Sequence, residues 1–208
     1  GATTTVLSVV NAALVRPLPF QDSERIVIGQ GFVRSEGSVR GLSYQEGRDW
    51  RAMSRVFDGL AAYDAISLNL AGGDGDPLRA RSEIVSEDYF RVLGANAARG
   101  RTFLSEEHRA PDAHAVAVIS HELWQSRFAG EAVVGRTTTL NARPFTIVGV
   151  MPRGFRGTSF QSDVWIPMMM VSTIRPVSML ESRGNRWLGV VGRMKPGVTV
   201  EDALSDLN

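Results

Sequence analysis

The sequence predicts an α+β fold, and three observations support that prediction. Short runs with strand character alternate irregularly with amphipathic helical stretches, which disfavours the regular order of a doubly wound sheet. The 208 residues are 43% apolar and 22% charged, an ordinary globular composition that excludes a disordered chain. Neither an internal repeat nor a low-complexity tract interrupts the pattern.

The charge balance and the lack of cysteine narrow the function classes. The formal net charge is +1, so no strong field would recruit nucleic acid, and Lys195 is the only lysine. Because there is no cysteine, disulfides, thiolate catalysis and thiolate-bound metal clusters are excluded. No apolar stretch reaches the ~20 residues that a membrane-spanning helix needs.

The first residues are predicted to form a helix followed by a strand. Residues 3–15 have apolar spacings of three and four, and Pro17 ends this predicted helix. The helix is apolar nearly all round, which suits burial or lipid better than a surface. Residues 24–32 have the apolar centre of a buried strand.

A second helix is predicted over residues 41–63. Ser43 and Glu46 have the spacing of a capping box at its start, and Gly59 is a stop signal near its end. One apolar stripe follows the helical period along it: Trp50, Met53, Phe57 and Leu60.

The remaining elements are short strands and short helices. Strands are predicted at 66–70, 78–85, 115–120, 163–170 and 186–195, with a hairpin over 135–152 that turns at Asn141–Pro144. Helices are predicted at 86–94 (capped by Ser86 and closed by Gly94), at 121–130, and after a Thr199–Asp202 capping box. Residues 71–77 are predicted to be a turn and residues 95–114 a polar loop.

The histidines do not indicate a metal site. His108, His114 and His121 have Asp112 and Glu122 nearby, but their spacing matches no metal-ligand pattern. We therefore expect them to be surface histidines.

Other patterns of catalysis and binding are also missing or have a structural explanation. The chain has no G-x-S-x-G elbow, P-loop or G-x-G-x-x-G sequence, so Ser120 is better explained as a helix N-cap than as a nucleophile. The Gly- and Asp-rich residues 71–77 could attract calcium, yet they lack the EF-hand spacing and its closing glutamate. A tight turn explains them.

The tryptophans and a methionine run are expected to be core residues. Trp50, Trp124, Trp165 and Trp187 each lie in an apolar pattern, which favours packing. Met168–Met170 leave an alternative open, because methionine serves both core gaps and adaptable interfaces.

Six stretches, in order along nearly the whole chain, resemble one family. They are SVVNAALVRPLPF (8–20), VSEDYFRVLGANAARGRTFLSEE (85–107), VAVISHELWQSRFAG (116–130), VGRTTTLNARPFTIVGVMPRGF (134–155), DVWIPM (163–168) and VVGRMKPGVTVEDA (190–203). Together they resemble the MacB-like periplasmic core domain of ABC-transporter permeases with an FtsX-like membrane part. Within that family they most resemble the subgroup of large permeases common in Acidobacteria. Residues 31–80 and 171–186 match less well.

The resemblance implies a domain in two parts. Residues 1–19 would be the outer end of a transmembrane helix and a connector. A porter-like α/β subdomain would be formed from both chain ends, residues 20–95 and 177–208. An inserted, β-rich, sabre-like subdomain would occupy residues 96–176. Hinges are expected around residues 94–100 and 171–186.

The resemblance also implies a function without catalysis. The chain would be the periplasmic domain of an inner-membrane efflux or export permease, driven by mechanotransmission. Its implied partners are the permease's own transmembrane helices, an ABC ATPase subunit or domain and a second permease in a dimer, with a periplasmic adaptor left open and nucleic acid excluded. It implies no cofactor and no catalytic, cofactor-binding or metal-binding residue.

Two other functions are weighed against this one. An envelope ligand-binding or sensory module predicts a deep, mostly apolar pocket with a few polar groups. An enzyme of another type would need titratable residues that converge in a cleft. The transported substrate is left open, because kinship of fold does not choose among substrates.

Overall fold

The computed structural model describes residues 5–10, 20–33, 38–39, 41–73, 75–174 and 179–206. They form an α+β fold, as predicted, divided into two compact units. Unit 1 comprises Gly1–Asp64, Arg91–Gly94 and Met179–Asn208, and unit 2 comprises Ala65–Phe90 and Ala95–Ser178. None of the described helices has the length and apolar character that a membrane crossing requires.

The strands and helices follow one another along the chain with few long connections. The strands are β1 (Thr5–Val10), β2 (Ile26–Val33), β3 (Ser38–Val39), β4 (Phe57–Ala71), β5 (Leu78–Val85), β6 (Arg99–Gly100), β7 (Val116–Ile119), β8 (Thr137–Leu140), β9 (Arg143–Val150), β10 (Val164–Pro167) and β11 (Gly189–Met194). The α-helices are α1 (Tyr44–Met53), α2 (Tyr89–Leu93), α3 (His121–Phe128) and α4 (Val200–Asp206). Short 3-10 turns occupy Ser23–Arg25, Ser105–His108 and Met168–Thr173.

Unit 1 is built on antiparallel strands in the order β1-β2-β11-β4, with β3 pairing β2. Its core joins the two ends of the described sequence, because β2 and β11 contribute neighbouring apolar residues. The buried members of this core are Val27, Leu42, Phe57, Leu60, Val190, Met194 and Ala203.

Unit 2 has a mixed sheet in the order β4-β5-β10-β7-β9-β6, with β8 pairing β4 and β9. The β5–β10 and β7–β9 pairs are parallel, and the β7–β10 and β6–β9 pairs are antiparallel. Strands β7 and β10 are apolar runs with almost every residue buried, as expected for central strands.

Several predicted elements are confirmed with close bounds. Strand β5 occupies the predicted residues 78–85, and the hairpin of β8 and β9 turns at Asn141–Ala142. Both turn residues have positive φ (46° and 63°), the geometry of a tight two-residue hairpin turn. The capping boxes that begin α1 and α4 are also formed.

The helix predicted over residues 3–15 is wrong where the structure describes it. Thr5–Val10 form β1, which pairs antiparallel with β2 along all six residues. This stretch is rich in β-branched residues, whose stiff side chains favour a strand, and the β2 edge supplies the hydrogen-bonding partner. The interpretation of residues 1–19 as the outer end of a transmembrane helix and a connector stays a prediction, because residues 1–4 and 11–19 lie outside the described part.

The helix predicted over residues 41–63 is correct only in its first half. Helix α1 ends at Met53, and β4 begins at Phe57, so the stripe from Trp50 to Leu60 does not exist. A β-bulge shifts the register between Arg193 and Met194, and Phe57 and Leu60 therefore both enter the unit 1 core. The three-residue spacing that suggested a helix comes from this bulge.

Two further elements are shorter than predicted. Helix α2 begins at Tyr89, and the backbone carbonyl of Ser86 accepts a hydrogen bond from the Tyr89 N–H at 3.2 Å. The strand predicted over residues 163–170 ends at Pro167, where the chain enters a 3-10 turn. The predicted subdomain boundaries stay a prediction; unit 2 contains 96–176 and also residues 65–90.

Candidate functional site

A carboxylate, Glu83 of β5, lies inside unit 2 with none of its surface exposed. The Trp165 Nε1–H donates to it at 3.0 Å, and the parallel register of β5 and β10 places Trp165 directly beside Glu83. The Thr158 hydroxyl and the Ser159 backbone N–H donate to its Oε1 at 3.1 and 2.9 Å. The Tyr89 hydroxyl donates to its Oε2. Four donors therefore surround the two oxygens, which is how a buried carboxylate is stabilised.

Tyr89 is the second buried polar group of this network. Burial raises the pKa of Tyr89 well above its usual value of 10.0, and the charge and hydrogen bond of Glu83 raise it further. The Thr158 backbone N–H donates to the Tyr89 oxygen at 2.9 Å. The phenol therefore stays protonated and keeps donating to Glu83. Since both groups are fully buried, this network holds structure rather than meeting a substrate.

Aromatic rings enclose the network within unit 2. The ring centroids of Phe155 and Trp165 are 5.4 Å apart, and Phe90 lies 6.0 Å from each of them. Tyr89 meets Phe90 edge-on at 5.3 Å. Such packing excludes water, so each hydrogen bond to Glu83 matters more than it would at a surface.

The turn over residues 157–160 is fastened to Glu83. Gly157 has φ +68°, and a Cβ there would lie 2.6 Å from Glu83 Oε2, so only glycine fits. The turn closes with the Phe160 N–H donating to the Gly157 carbonyl at 3.3 Å. Phe160 has φ +58°, an uncommon conformation for a bulky residue, and its side chain is 42% exposed. The anchored turn thus presents an aromatic ring to solvent.

A polar groove of about 580 Å³ lies next to this turn, within unit 2. Its floor is formed by residues 65–67 of β4 and by Arg79, Arg81 and Ser82 of β5, and its wall by Ser159, Gln161 and Ser162. Arg79, Arg81 and Glu83 share one face of β5, because side chains alternate along a strand. That face is covered at Glu83 and exposed at both arginines. Arg81 Nη1 donates to the Gln161 side-chain oxygen, which ties the floor to the wall.

A second groove of similar volume lies beside the start of α3. Its lining includes His121, Glu122, Gln125 and Arg153. One Glu122 oxygen accepts a hydrogen bond from the Gly154 backbone N–H at 3.0 Å, so this carboxylate ties the loop after β9 to the helix.

The predicted turn over residues 71–77 is held by an arginine. Arg127 is buried, and its guanidinium donates to the carbonyls of Gly72 and Gly75 at 3.4 and 3.2 Å. Because a cation already occupies these oxygens, the arrangement argues against calcium there and supports the turn interpretation. A Cβ at Gly73 would lie 2.2 Å from the Arg127 carbonyl oxygen, so the close approach requires glycine.

The structure places the three histidines in separate surroundings, and His108 and His121 are half-buried rather than fully at the surface as expected. Among the described residues, no group of three or more His, Asp or Glu could hold a metal ion. His108 stacks edge-on against Phe103 and His121 against Trp124, while His114 is exposed. The Ser172 hydroxyl, and after it Arg143, hold the pKa of Asp112 below its usual value of 3.8.

Ser120 is a helix N-cap, as predicted. Its hydroxyl accepts a hydrogen bond from the Leu123 N–H at 3.0 Å and donates to Asp163 at 2.8 Å. Since the oxygen caps the helix and the proton is donated to Asp163, the hydroxyl has a structural role.

The core prediction for the tryptophans and the methionines is confirmed in unit 2. Trp124 and Trp165 are buried, and Trp50 packs, partly buried, against the unit 1 core. Met168–Met170 are all buried in a 3-10 turn, so the interface alternative for them is wrong. Their flexible side chains fill the irregular space that such a turn leaves.

The Glu83 network and the arginine groove are not predicted by the local sequence pattern. LRARSEIV places its charged residues at alternate positions, which suggests that all three point to solvent. Nothing in that stretch shows that Tyr89, Thr158 and Trp165 cover only its last part. The glycine of the turn over residues 157–160 was the one sequence feature that could have suggested a close packing partner. This turn lies about seventy-five residues further along the chain.

Comparison with known proteins places the chain in a family. The model of the MacB-like periplasmic core domain matches residues 1–208. The macrolide export ATP-binding/permease protein MacB of Vibrio parahaemolyticus is 27% identical over 186 residues, covering 86% of this chain and 27% of that protein. The chain thus spans about a quarter of the length of this relative.

Solved structures show the same fold. The periplasmic region of MacB from Actinobacillus actinomycetemcomitans aligns with a TM-score of 0.67 at 17% identity, covering 88% of this chain and 79% of that one. The extracellular domain of the noncanonic ABC-type transporter YknZ from Gram-positive bacteria aligns with a TM-score of 0.60 at 14% identity, covering 79% and 77%. With the family match over its full length, the chain belongs to the MacB-like periplasmic core domains.

Proposed function

We propose that this chain is the extracytoplasmic domain of an ABC-transporter permease, located in the periplasm. It couples ATP hydrolysis in the cytoplasm to a conformational change in the periplasm during export or efflux. The observation that carries the proposal is the family match over residues 1–208. The likeness of fold to the periplasmic region of a MacB supports it.

The division into two compact units supports a mechanical role. The chain passes between the units at four points, after Asp64, Phe90, Gly94 and Ser178. We place hinges at residues 94–100 and 171–186, and a hinge needs only a few residues that absorb backbone rotation. We also propose the porter-like and sabre-like subdomains with an insertion over residues 96–176.

The partners follow from the same proposal. The domain acts with its permease's own transmembrane helices, with an ABC ATPase domain or subunit and with a second permease copy. The name of the Vibrio relative joins an ATP-binding and a permease part, which supports this set. A periplasmic adaptor is a further candidate partner.

We assign no catalytic, cofactor-binding or metal-binding residue to the domain. Its polar network around Glu83 is fully buried, and the two grooves we describe are lined mainly by polar residues. Neither groove is the deep apolar pocket that the ligand-binding alternative predicts.

Because these 208 residues contain no cysteine, a cysteine introduced here can be labelled selectively once any cysteines elsewhere in the complete permease are replaced. Single cysteines replacing Met53 in unit 1 or Val134 in unit 2, which are 67% and 46% exposed, would each carry a spin label in the complete permease. In a dimer, each label pair reports one distance between copies. We expect ATP to shift that distance for at least one of the two positions in membranes.

The control is a permease whose ATPase partner cannot hydrolyse ATP, for which the resting distance should persist. If no distance between spin labels on two copies could be measured, the dimer would be contradicted. Identical distances with and without ATP at both positions would contradict mechanical coupling.

A further inference from the structure

The groove beside the 157–160 turn carries positive charge without a matching acid. Arg79 and Arg81 are both exposed on its floor, and the described residues that line it include no aspartate or glutamate. The nearest acid on this face of β5 is Glu83, which is buried and already accepts four hydrogen bonds. The charge of the two arginines is therefore available to a ligand.

The two guanidinium groups keep most of their donors. Arg81 uses one nitrogen on Gln161, and an arginine has five N–H donors in a planar fork. That fork matches a carboxylate with two parallel hydrogen bonds, which a point charge does not provide.

The spacing of the arginines indicates an extended ligand. Alternate residues of a strand project side chains about 7 Å apart on one face, because the rise is about 3.3 Å per residue. Arg79 and Arg81 are alternate residues of β5. A peptide in extended conformation presents its own alternate side chains at the same interval, so acidic residues at every second position would meet both arginines.

The wall of the groove is fixed before any ligand arrives. Ser159 lines it while its backbone N–H is bonded to Glu83, and the Ser159 and Ser162 hydroxyls are 2.7 Å apart. Phe160, in the same turn, is held in a positive-φ conformation with 42% of its side chain exposed. A rigid wall lowers the entropic cost of binding, and an exposed ring is a common apolar anchor at protein interfaces.

We propose that this groove binds an extended acidic segment of a partner protein, with alternate carboxylates on Arg79 and Arg81 and an apolar residue against Phe160. Binding of such a segment is a property separate from the transport role. It can be measured on the 208-residue chain without ATP. A failure here therefore leaves the proposed function untouched, and the converse also holds.

Fluorescence anisotropy with labelled decapeptides tests the proposal. We would compare an alternating Glu-Ser peptide, an alternating Gln-Ser peptide and a peptide with the same five glutamates in one block. We expect the alternating Glu-Ser peptide to bind about tenfold tighter than the Gln-Ser peptide at low salt, since two exposed ion pairs are worth up to about fivefold each. The blocked peptide should bind more weakly than the alternating one.

A pair of matched double variants separates the groove from net charge. R79Q/R81Q should weaken Glu-Ser binding about tenfold, whereas R109Q/R153Q removes the same charge from exposed arginines elsewhere in unit 2 and should change it less than about twofold. The single variant R79Q, which touches no bond to Gln161, should give an intermediate loss and guards against misfolding. Replacing one serine of the Glu-Ser peptide by leucine should tighten its binding, and Phe160→Ala should remove that gain.

Three outcomes would overturn the proposal. Equal losses in the two double variants would show a response to net charge alone. Equal affinity for alternating and blocked peptides would remove the role of spacing. Binding to anionic phosphatidylglycerol vesicles that needs Arg79 and Arg81, with no peptide binding, would assign the groove to lipid headgroups instead.

Discussion

The two units keep their polar groups in different places. In unit 2 a carboxylate is buried at Glu83 under aromatic rings and four hydrogen-bond donors. In unit 1, ion pairs such as Arg25–Asp58 and Arg183–Asp49 are partly or largely exposed, and even the most covered described pair, Arg186–Glu46, keeps about a fifth of each side chain exposed. Both units are built on β-sheets. They differ in whether buried hydrogen bonds or exposed ion pairs hold their connecting segments.

This difference matters because burial changes what a polar contact is worth. A buried hydrogen-bond network specifies one geometry, and losing a single member leaves the others unpaired. An exposed ion pair competes with water and salt and contributes little. We therefore expect substitutions in unit 2 to be costly and specific, and comparable changes in unit 1 to be mild.

The largest effect is expected from Glu83→Ala. Removing the carboxylate leaves the donors of Tyr89, Trp165 and Thr158 unpaired in the core and opens a void. We expect the free energy of unfolding, measured with urea, to fall by about 3–5 kcal/mol. Glu131→Ala, which removes an exposed carboxylate from the same unit, should stay within about 0.5 kcal/mol. A loss below about 1 kcal/mol for Glu83→Ala would contradict the role of the network.

A glycine pair separates steric contact from backbone strain. Gly157 and Gly154 both have positive φ, at +68° and +82°, but only Gly157 has Glu83 within reach of a Cβ. Gly154→Ala should cost about 1 kcal/mol, and Gly157→Ala about 2–3 kcal/mol because its methyl group also displaces the carboxylate. If both variants lost the same free energy of unfolding in urea, the predicted contact between a Cβ at residue 157 and Glu83 would be contradicted.

The buried phenol predicts a dependence on alkaline pH. Its folded pKa is raised above the unfolded value of 10.0, so its contribution to stability is fully present below pH 10 and is lost as the pH rises further. Wild-type stability should fall by up to about 1.4 kcal/mol per pH unit above that point from this group. Tyr89→Phe should lose this part of the slope, and Tyr44→Phe, which retains Tyr89, should keep it. Identical slopes for wild type and Tyr89→Phe would contradict the assignment.

The smallest effects are expected in unit 1. Ser43→Ala removes the N-cap of α1, whose hydroxyl accepts from the Glu46 N–H at 3.2 Å, and should cost about 1 kcal/mol. Arg183→Gln breaks an exposed ion pair and should stay within about 0.5 kcal/mol. If Arg183→Gln cost as much as Gly157→Ala in urea unfolding, the contrast between the units would fail.

Local sequence signals predict the structure correctly where neighbouring residues decide the outcome. The capping boxes at Ser43 and Thr199 and the two-residue turn at Asn141 depend on contacts only a few residues apart. The helix predicted beyond Met53 failed because the partner of β4 is β11, more than a hundred residues away. The bulge at that pairing gave strand residues a helical spacing.

The candidate site also has one part that the sequence shows and one part that only the folded structure shows. Its arginines were visible as charged residues in LRARSEIV, but the pattern gives Glu83 the same appearance. Only the cover supplied by Tyr89, Thr158 and Trp165 makes one residue a buried anchor and leaves the other two at a groove. Burial by residues that are distant in sequence cannot be recognised from the local order of polar and apolar residues.

The sequence by itself determined the α+β class, the caps and turns and, through six spread stretches, the family to which the chain belongs. These features follow from composition, short-range hydrogen bonds and residue order. The tertiary structure alone decided that Thr5–Val10 form a strand, that Met168–Met170 are core and that Glu83 is buried. Each of these depends on a partner strand or a covering turn, because burial and sheet pairing are properties of residues brought together by folding.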